Sequence, residues 1–152
     1  MAADDPVTSV MSVQVVSVER STPVLDVARL MVEHGISGVP VVDGDRVVGM
    51  VTERDMVAQE MDVDAPVYGT FLDAVFRLPW DKSDEEFRHV LATTAGQLMS
   101  SDVVTISASS TVRDAASVMY KRRLNPLPVV DSAGRLVGIV SRSDIIRMLA
   151  EI

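Results

Sequence analysis

Two spacings in this chain could carry chemistry, and both place a carboxylate three residues after a hydroxyl: Thr52 with Asp55, and Ser141 with Asp144. Each pair belongs to a heptapeptide that occurs twice, GMVTERD at 49–55 and GIVSRSD at 138–144. A hydroxyl at the start of a helix lies beside unpaired backbone N–H groups, where the helix dipole favours a phosphate or another anion. An aspartate about one turn further along offers two oxygens that accept from vicinal hydroxyls, such as those of a ribose. The same spacing also resembles a capping box, in which the acid folds back onto the N–H of its own cap. Aspartate is shorter than the usual Glu or Gln, so that closure is poorer. The residues alone leave both readings open. Arg54 and Arg142, beside the pairs, are placed to reach phosphates in either case.

Other chemistries find little support. Acyl or phosphoryl transfer needs a nucleophile with a base, paired working carboxylates or a metal cluster. His34 and His89 have no evident hydroxyl or acidic partner and no metal-type spacing, and neither a P-loop nor a G-x-G-x-x-G occurs. The residues therefore read as a binding module, not an enzyme. A formal charge of −8, from 22 acids and 14 bases, argues against nucleic acid as a partner. Cysteine is absent, which fits an intracellular, cytoplasmic setting. The N-terminal MAADDP has no apolar h-region, and no apolar run approaches the roughly 20 residues that span a bilayer. Membrane insertion is not expected.

The elements that must position these residues are themselves repeated. Shifted by 88, VMSVQVVSV (10–18) meets LMSSDVVTI (98–106), and STPVLDVARLM (21–31) meets SSTVRDAASVM (109–119). VPVVDGDRVVGMVTERD (39–55) meets LPVVDSAGRLVGIVSRSD (127–144) after one inserted residue, which falls in the turn where a hairpin absorbs it. Each copy reads β-α-β-β-α. VVSV or VVTI predicts a buried strand. Thr22 or Ser110 then caps a helix, with Pro23 at its first position in the first copy. Val24, Val27, Ala28 and Met31 fall on one face of that helix, as do Val112, Ala115, Ala116 and Met119. A hairpin follows, whose Gly49 or Gly138 permits close backbone approach. Thr52 or Ser141 opens the last helix. Neither copy can bury both faces of its sheet alone, so the two should pack about a pseudo-two-fold axis.

With LMS, VVTI, LPVVD and GRLVGIVSRSD and their first-half partners in the right order twice, the chain resembles a tandem pair of CBS domains, the family named from cystathionine β-synthase. The resemblance implies an α/β (α+β) fold of two repeats, 7–59 and 94–152, around an aromatic-rich insert at 60–93. It implies a regulatory module with two clefts between the repeats, taking adenosyl ligands such as AMP, ADP, ATP or S-adenosylmethionine and requiring no cofactor. Carried over residue by residue, one cleft would join Val16, Ser37 and Gly38 to Ser141 and Asp144. The other would join Val104, Asn125 and Pro126 to Thr52 and Asp55. Family members commonly form flat homodimers, for which the last helix, with Ile145, Met148, Leu149 and Ile152 on one side, is a candidate surface. A client protein is a further possible partner, and a structural adaptor with empty clefts is the alternative function.

Two local differences complete the expectations. The second copy carries KRR (121–123) where the first has EHG (33–35). That run reads either as a solvated helix end offsetting the dipole or as an inward basic group, which would make the Asp55 cleft the tighter nucleotide site. The insert holds five of the six aromatics, Tyr68, Phe71, Phe76, Trp80 and Phe87, and a helix is expected there, with Ser83 as its cap and Glu86 three residues on. Its apolar surface should cover its own sheet or anchor a partner.

Overall fold

The computed structural model describes residues 2–56 and 93–151. The insert's expected helix and its five aromatics lie outside the described residues. Within them, each half has a helix, a hairpin and the start of a second helix. In the first half these are α1 (Val24–His34), β1 (Gly38–Asp43), β2 (Arg46–Thr52) and a helical segment at 53–56. A short helix α2 (Ala95–Leu98) leads into the second half, which consists of β3 (Ile106–Ser107), α3 (Val112–Arg122), β4 (Leu127–Val130), β5 (Leu136–Val140) and α4 (Arg142–Ala150).

The hairpins follow from short continuous apolar runs, GVPVV with VVGMV and LPVV with LVGIV, and from the turns between them. β1 pairs antiparallel with β2, and β4 with β5, each with a bulge at the matching place, Val41/Val42 and Val129/Val130. In the first turn Gly44 takes φ 62°, which glycine adopts without a Cβ clash. The longer second turn is organised by Asp131, whose Oδ1 accepts from the N–H groups of Ala133 and Arg135, both at 2.9 Å. The inserted residue is absorbed there without disturbing the register beyond it.

The expected leading strand is shorter than predicted. In the second half it is the two-residue β3, parallel to β4; in the first, VVSV contributes only a bridge from Val18 to Val41. Val18 still completes its hydrogen bonds, donating to Pro40 O and accepting from Val42 N–H, so the topology is kept with minimal pairing. The helix caps also move by one residue. Pro23 itself is the N-cap of α1, and Thr22 instead accepts from the Glu19 N–H; Thr111, not Ser110, caps α3.

The two halves trade their lead-in segments. Val7 is fully buried in the second core with Ile106, Ala115, Met119, Leu127, Val129 and Val140. Ala95 and Leu98 are buried in the first core with Val24, Val27, Met31, Val39, Val41 and Val51. Backbone bonds fix the exchange: Ser12 pairs with Ile139, and Ser100 with Met50. The glycines of the repeated heptapeptide are the contact points. A Cβ at Gly49 would overlap the Met99 side chain, and one at Gly138 would overlap Met11. Each core is thus closed by residues belonging in sequence to the other half, which locks the two repeats together.

Candidate functional site

Two clefts open where the repeats meet, each of about 560 Å³, a size suited to a small organic ligand. Cleft I is lined by Thr52, Arg54 and Asp55 from the first repeat and by Val104, Asn125, Pro126 and Arg142 from the second. Cleft II is lined by Val16, Ser37 and Gly38 from the first repeat and by Ser141 and Asp144 from the second. The structure brings together each of the two residue sets named from the sequence. Arg142 falls in cleft I, opposite the carboxylate of its own helix. Glu53, Ser37, Asn125 and Pro126 border both clefts.

The hydroxyl–aspartate pairs form capping boxes. At cleft I the Thr52 N–H donates to Asp55 Oδ2 at 2.9 Å, and the Asp55 N–H donates to Thr52 Oγ1 at 3.2 Å. No described residue donates to Asp55 Oδ1. At cleft II the Ser141 N–H and hydroxyl both donate to Asp144 Oδ2, at 2.8 and 3.0 Å. Arg147 Nη1 occupies the other oxygen at 3.3 Å. That guanidinium is 66% exposed, so its ion pair is weak and a ligand can displace it.

A third capping box acts as an internal control. Thr111 and Asp114 make the same reciprocal bonds at the start of α3, but Asp114 is exposed and borders neither cleft. The Thr111 backbone N–H, followed by its hydroxyl, holds the Asp114 carboxyl below the usual range. Among the described residues all three hydroxyl–aspartate pairs of this spacing cap a helix. Only position opens Asp55 and Asp144 to a shared crevice.

Between the clefts one hydrogen bond joins the two repeats, and one bond within each repeat braces it. Asn125 Nδ2 donates to Ser37 Oγ at 3.1 Å, while Asn125 Oδ1 accepts from the Arg142 N–H at 2.8 Å. On the other side the Glu53 N–H donates to Ser37 O at 2.9 Å. The loops before β1 and β4 thus hold the first turns of both cap helices. Close packing adds to this, since a Cβ at Gly38 would stand 2.7 Å from Pro126 Cδ.

The basic run spans two neighbouring cavities, with Arg123 bordering both. Arg122 and Arg123 border cleft I, and Lys121 lines a cavity of about 590 Å³ with Tyr120, Ile145, Arg123 and Arg142. Arg123 has φ 54°, a left-handed conformation in which Gly35 (φ 60°) stands at the equivalent end of α1. For a side chain with a Cβ that conformation costs about 1–2 kcal/mol. Sequence reasoning missed Glu53, His34 and Arg147 as lining residues. Arg147, one turn beyond Asp144, was findable from its i,i+3 spacing; His34 and Glu53 reach the clefts only through the packing of the repeats. Among the described residues no group of three or more acids or histidines is placed to hold a metal, and no helix is long and apolar enough to cross a membrane.

The CBS-domain family model matches residues 7–62 and 95–151, three-quarters of the chain. The chain belongs to the CBS-domain family. This CBS pair is 31% identical over 134 residues to the uncharacterized protein MJ1426 of Methanocaldococcus jannaschii, covering 82% of this chain and 80% of that protein. It is 30% identical to the chloroplastic CBS domain-containing protein CBSX2 of Arabidopsis thaliana, with 89% of this chain matched to 58% of that one. Among solved structures it superposes on CBSX2 in complex with AMP, with a TM-score of 0.72, 25% identity and 97% coverage of both chains. The α+β architecture of paired repeats is shared with CBSX2.

Proposed function

We propose that this CBS pair is a regulatory module whose inter-repeat clefts bind an adenosyl ligand: AMP, ADP, ATP or S-adenosylmethionine. One observation carries the reading. Asp55 and Asp144 each face a cleft whose opposite wall belongs to the other repeat, so a ligand held by its diol touches both halves at once. The AMP bound by CBSX2 supports the ligand class. Val16 and Val104 would lie against the purine, with Ser37, Gly38, Asn125 and Pro126 along its edge. Thr52, Ser141, Arg54 and Arg142 would meet ribose or phosphate.

Binding that bridges the repeats stabilises one relative packing of them, and by linkage alters affinity for whatever senses that packing. A second copy of the chain is one such partner. Tyr120, Ile146 and Leu149, 86%, 63% and 56% exposed, offer apolar surface for it on α3 and α4. Of the residues expected to form that surface, Ile145 instead packs against the second core. A client protein is the other partner class. The module itself catalyses nothing.

A melting experiment with a panel of adenine nucleotides and S-adenosylmethionine tests the reading. A ligand at 100 times its dissociation constant stabilises the folded state by about 2.7 kcal/mol, so at least one member should raise the melting temperature. Mass spectrometry of small molecules released from the purified protein identifies a resident ligand directly. The closed capping boxes favour a second reading, an adaptor whose carboxylates serve only their own helices. A panel that shifts nothing would establish it.

A further inference from the structure

We infer that cleft I selects for adenosine polyphosphates through a set of arginines centred on Arg123, while cleft II takes adenosyl ligands with one phosphate or none. The inference rests on the adenosyl reading above and specifies which cleft reads phosphate number.

Cleft I gathers four of the five described arginines that lack a carboxylate partner. Among the described residues, Arg20, Arg29, Arg113, Arg135 and Arg147 each hold a carboxylate within 3.4 Å. Five others hold none: Arg46, which lines neither cleft, and Arg54, Arg122, Arg123 and Arg142, which all border cleft I. These four come from three elements: the helical segment at 53–56, the end of α3 and the start of α4. Guanidinium groups gathered without acidic partners repel one another and are matched by an anion of several charges.

The pseudo-two-fold relation supplies a control inside the same molecule. The repeat alignment pairs Arg54 with Ser143, Arg122 with His34, Arg123 with Gly35 and Arg142 with Glu53. Those four counterparts border cleft II. Every unpaired arginine of cleft I therefore faces a neutral or acidic residue at its counterpart in cleft II. One substitution runs the other way, since Asp102 in cleft I corresponds to Gln14 in cleft II, and Glu53 borders both. Cleft I thus sets Arg54, Arg122, Arg123 and Arg142 against Glu53, Asp55 and Asp102, whereas cleft II has only Arg147, already held by Asp144, against Glu53 and Asp144. A monophosphate carries about two negative charges and each further phosphate about one more, so the gain in cleft I grows along the series.

Arg123 is the pivot because the backbone argues against it. Both helices end in a left-handed residue, and glycine meets that need in the first repeat without strain. An arginine there is strained, and what it adds is a guanidinium at the cleft.

Calorimetric titration of the full chain with adenosine, AMP, ADP and ATP tests this, using wild type, Arg123→Gly, Asp55→Ala and Asp144→Ala. Wild type should show one site whose affinity rises from AMP to ATP by on the order of tenfold. Arg123→Gly, which installs the first repeat's own residue, should keep or raise the melting temperature. It should cut ATP affinity about tenfold, with the loss shrinking as each phosphate is removed. The phosphate-dependent site should weaken on the order of 100-fold in Asp55→Ala and persist in Asp144→Ala. Equal loss for all four ligands in Arg123→Gly, unchanged ATP binding, or disappearance of that site in Asp144→Ala overturns the inference. Adenosine binding with no dependence on phosphate number sinks the inference alone and leaves the adenosyl reading standing. Absence of binding by all four ligands overturns the inference, and absence of binding by S-adenosylmethionine as well removes the adenosyl reading.

Discussion

Cleft I and cleft II share a backbone and differ in charge. Both present a capped aspartate, a hydroxyl at a helix start and a loop preceding an apolar strand, and all of these lie in segments that match between the repeats. The differing residues are polar side chains at helix ends, where the fold places few demands on side-chain type. Duplication thus leaves two pockets with one way of gripping a sugar diol and two electrostatic settings. A further difference lies in the aspartates. Asp144 has both oxygens engaged, one of them by Arg147, whereas Asp55 keeps Oδ1 clear of the described residues. Cleft I is the more prepared of the two.

The comparison can be broken most sharply at the aspartates. Asp55→Ala should cost on the order of 100-fold in affinity at the tight site, because a charged acceptor for two hydroxyls is lost. Asp144→Ala should leave that site within a few-fold; a larger loss there, measured by calorimetry, reverses the ranking.

Next in size is a stability difference at the heptapeptide glycines. Gly49→Ala should cost about 1–3 kcal/mol, because its Cβ would stand 2.9 Å from Met99 Cβ, an atom fixed to the main chain. Gly138→Ala should cost less, since the atoms it meets are the Sδ, Cγ and Cε of Met11, which can swing aside. Equal costs in urea melts would mean the two exchanged segments are seated alike.

Thr111→Ala should lose about 1 kcal/mol of cap stabilisation and leave ligand affinity unchanged. A drop in affinity would show that capping, and not the position of a carboxylate at a cleft, governs binding. The smallest effect concerns acid. Asp114 titrates below its ordinary value of 3.8 in the fold, held by Thr111 N–H and hydroxyl. A depressed folded value gives stability that is present above the unfolded value and lost as pH falls through the folded one. Asp114→Asn should therefore flatten the acid limb of the melting profile below about pH 4.

Much of this was legible because it is local. The repeated GMVTERD and GIVSRSD, the DGD and DSAG turns and the apolar spacing of Val24, Val27 and Met31 fix hairpins and helices through neighbours a few residues apart. The bulges at Val41/Val42 and Val129/Val130 left no pattern to read. Nor did the exchange of lead-in segments, since Val7 and Leu98 bury the same apolar area whichever core receives them. Cap positions slipped by one residue because Ser110 and Thr111 are both good caps, and backbone geometry decides between them. The site was readable through its aspartates and its family likeness. His34, Glu53 and Arg147 were not assigned to it, because cleft walls are assembled by packing between residues as distant in sequence as Ser12 and Arg147.

The central claim is that a carboxylate at the junction of the two repeats holds a sugar diol. Titrating wild type and Asp55→Ala with ATP and with 2′,3′-dideoxy-ATP measures that contact alone. The account predicts that wild type loses on the order of 100-fold when the hydroxyls are removed, while Asp55→Ala binds both nucleotides equally. Wild type that binds the dideoxy ligand as tightly as ATP would contradict it.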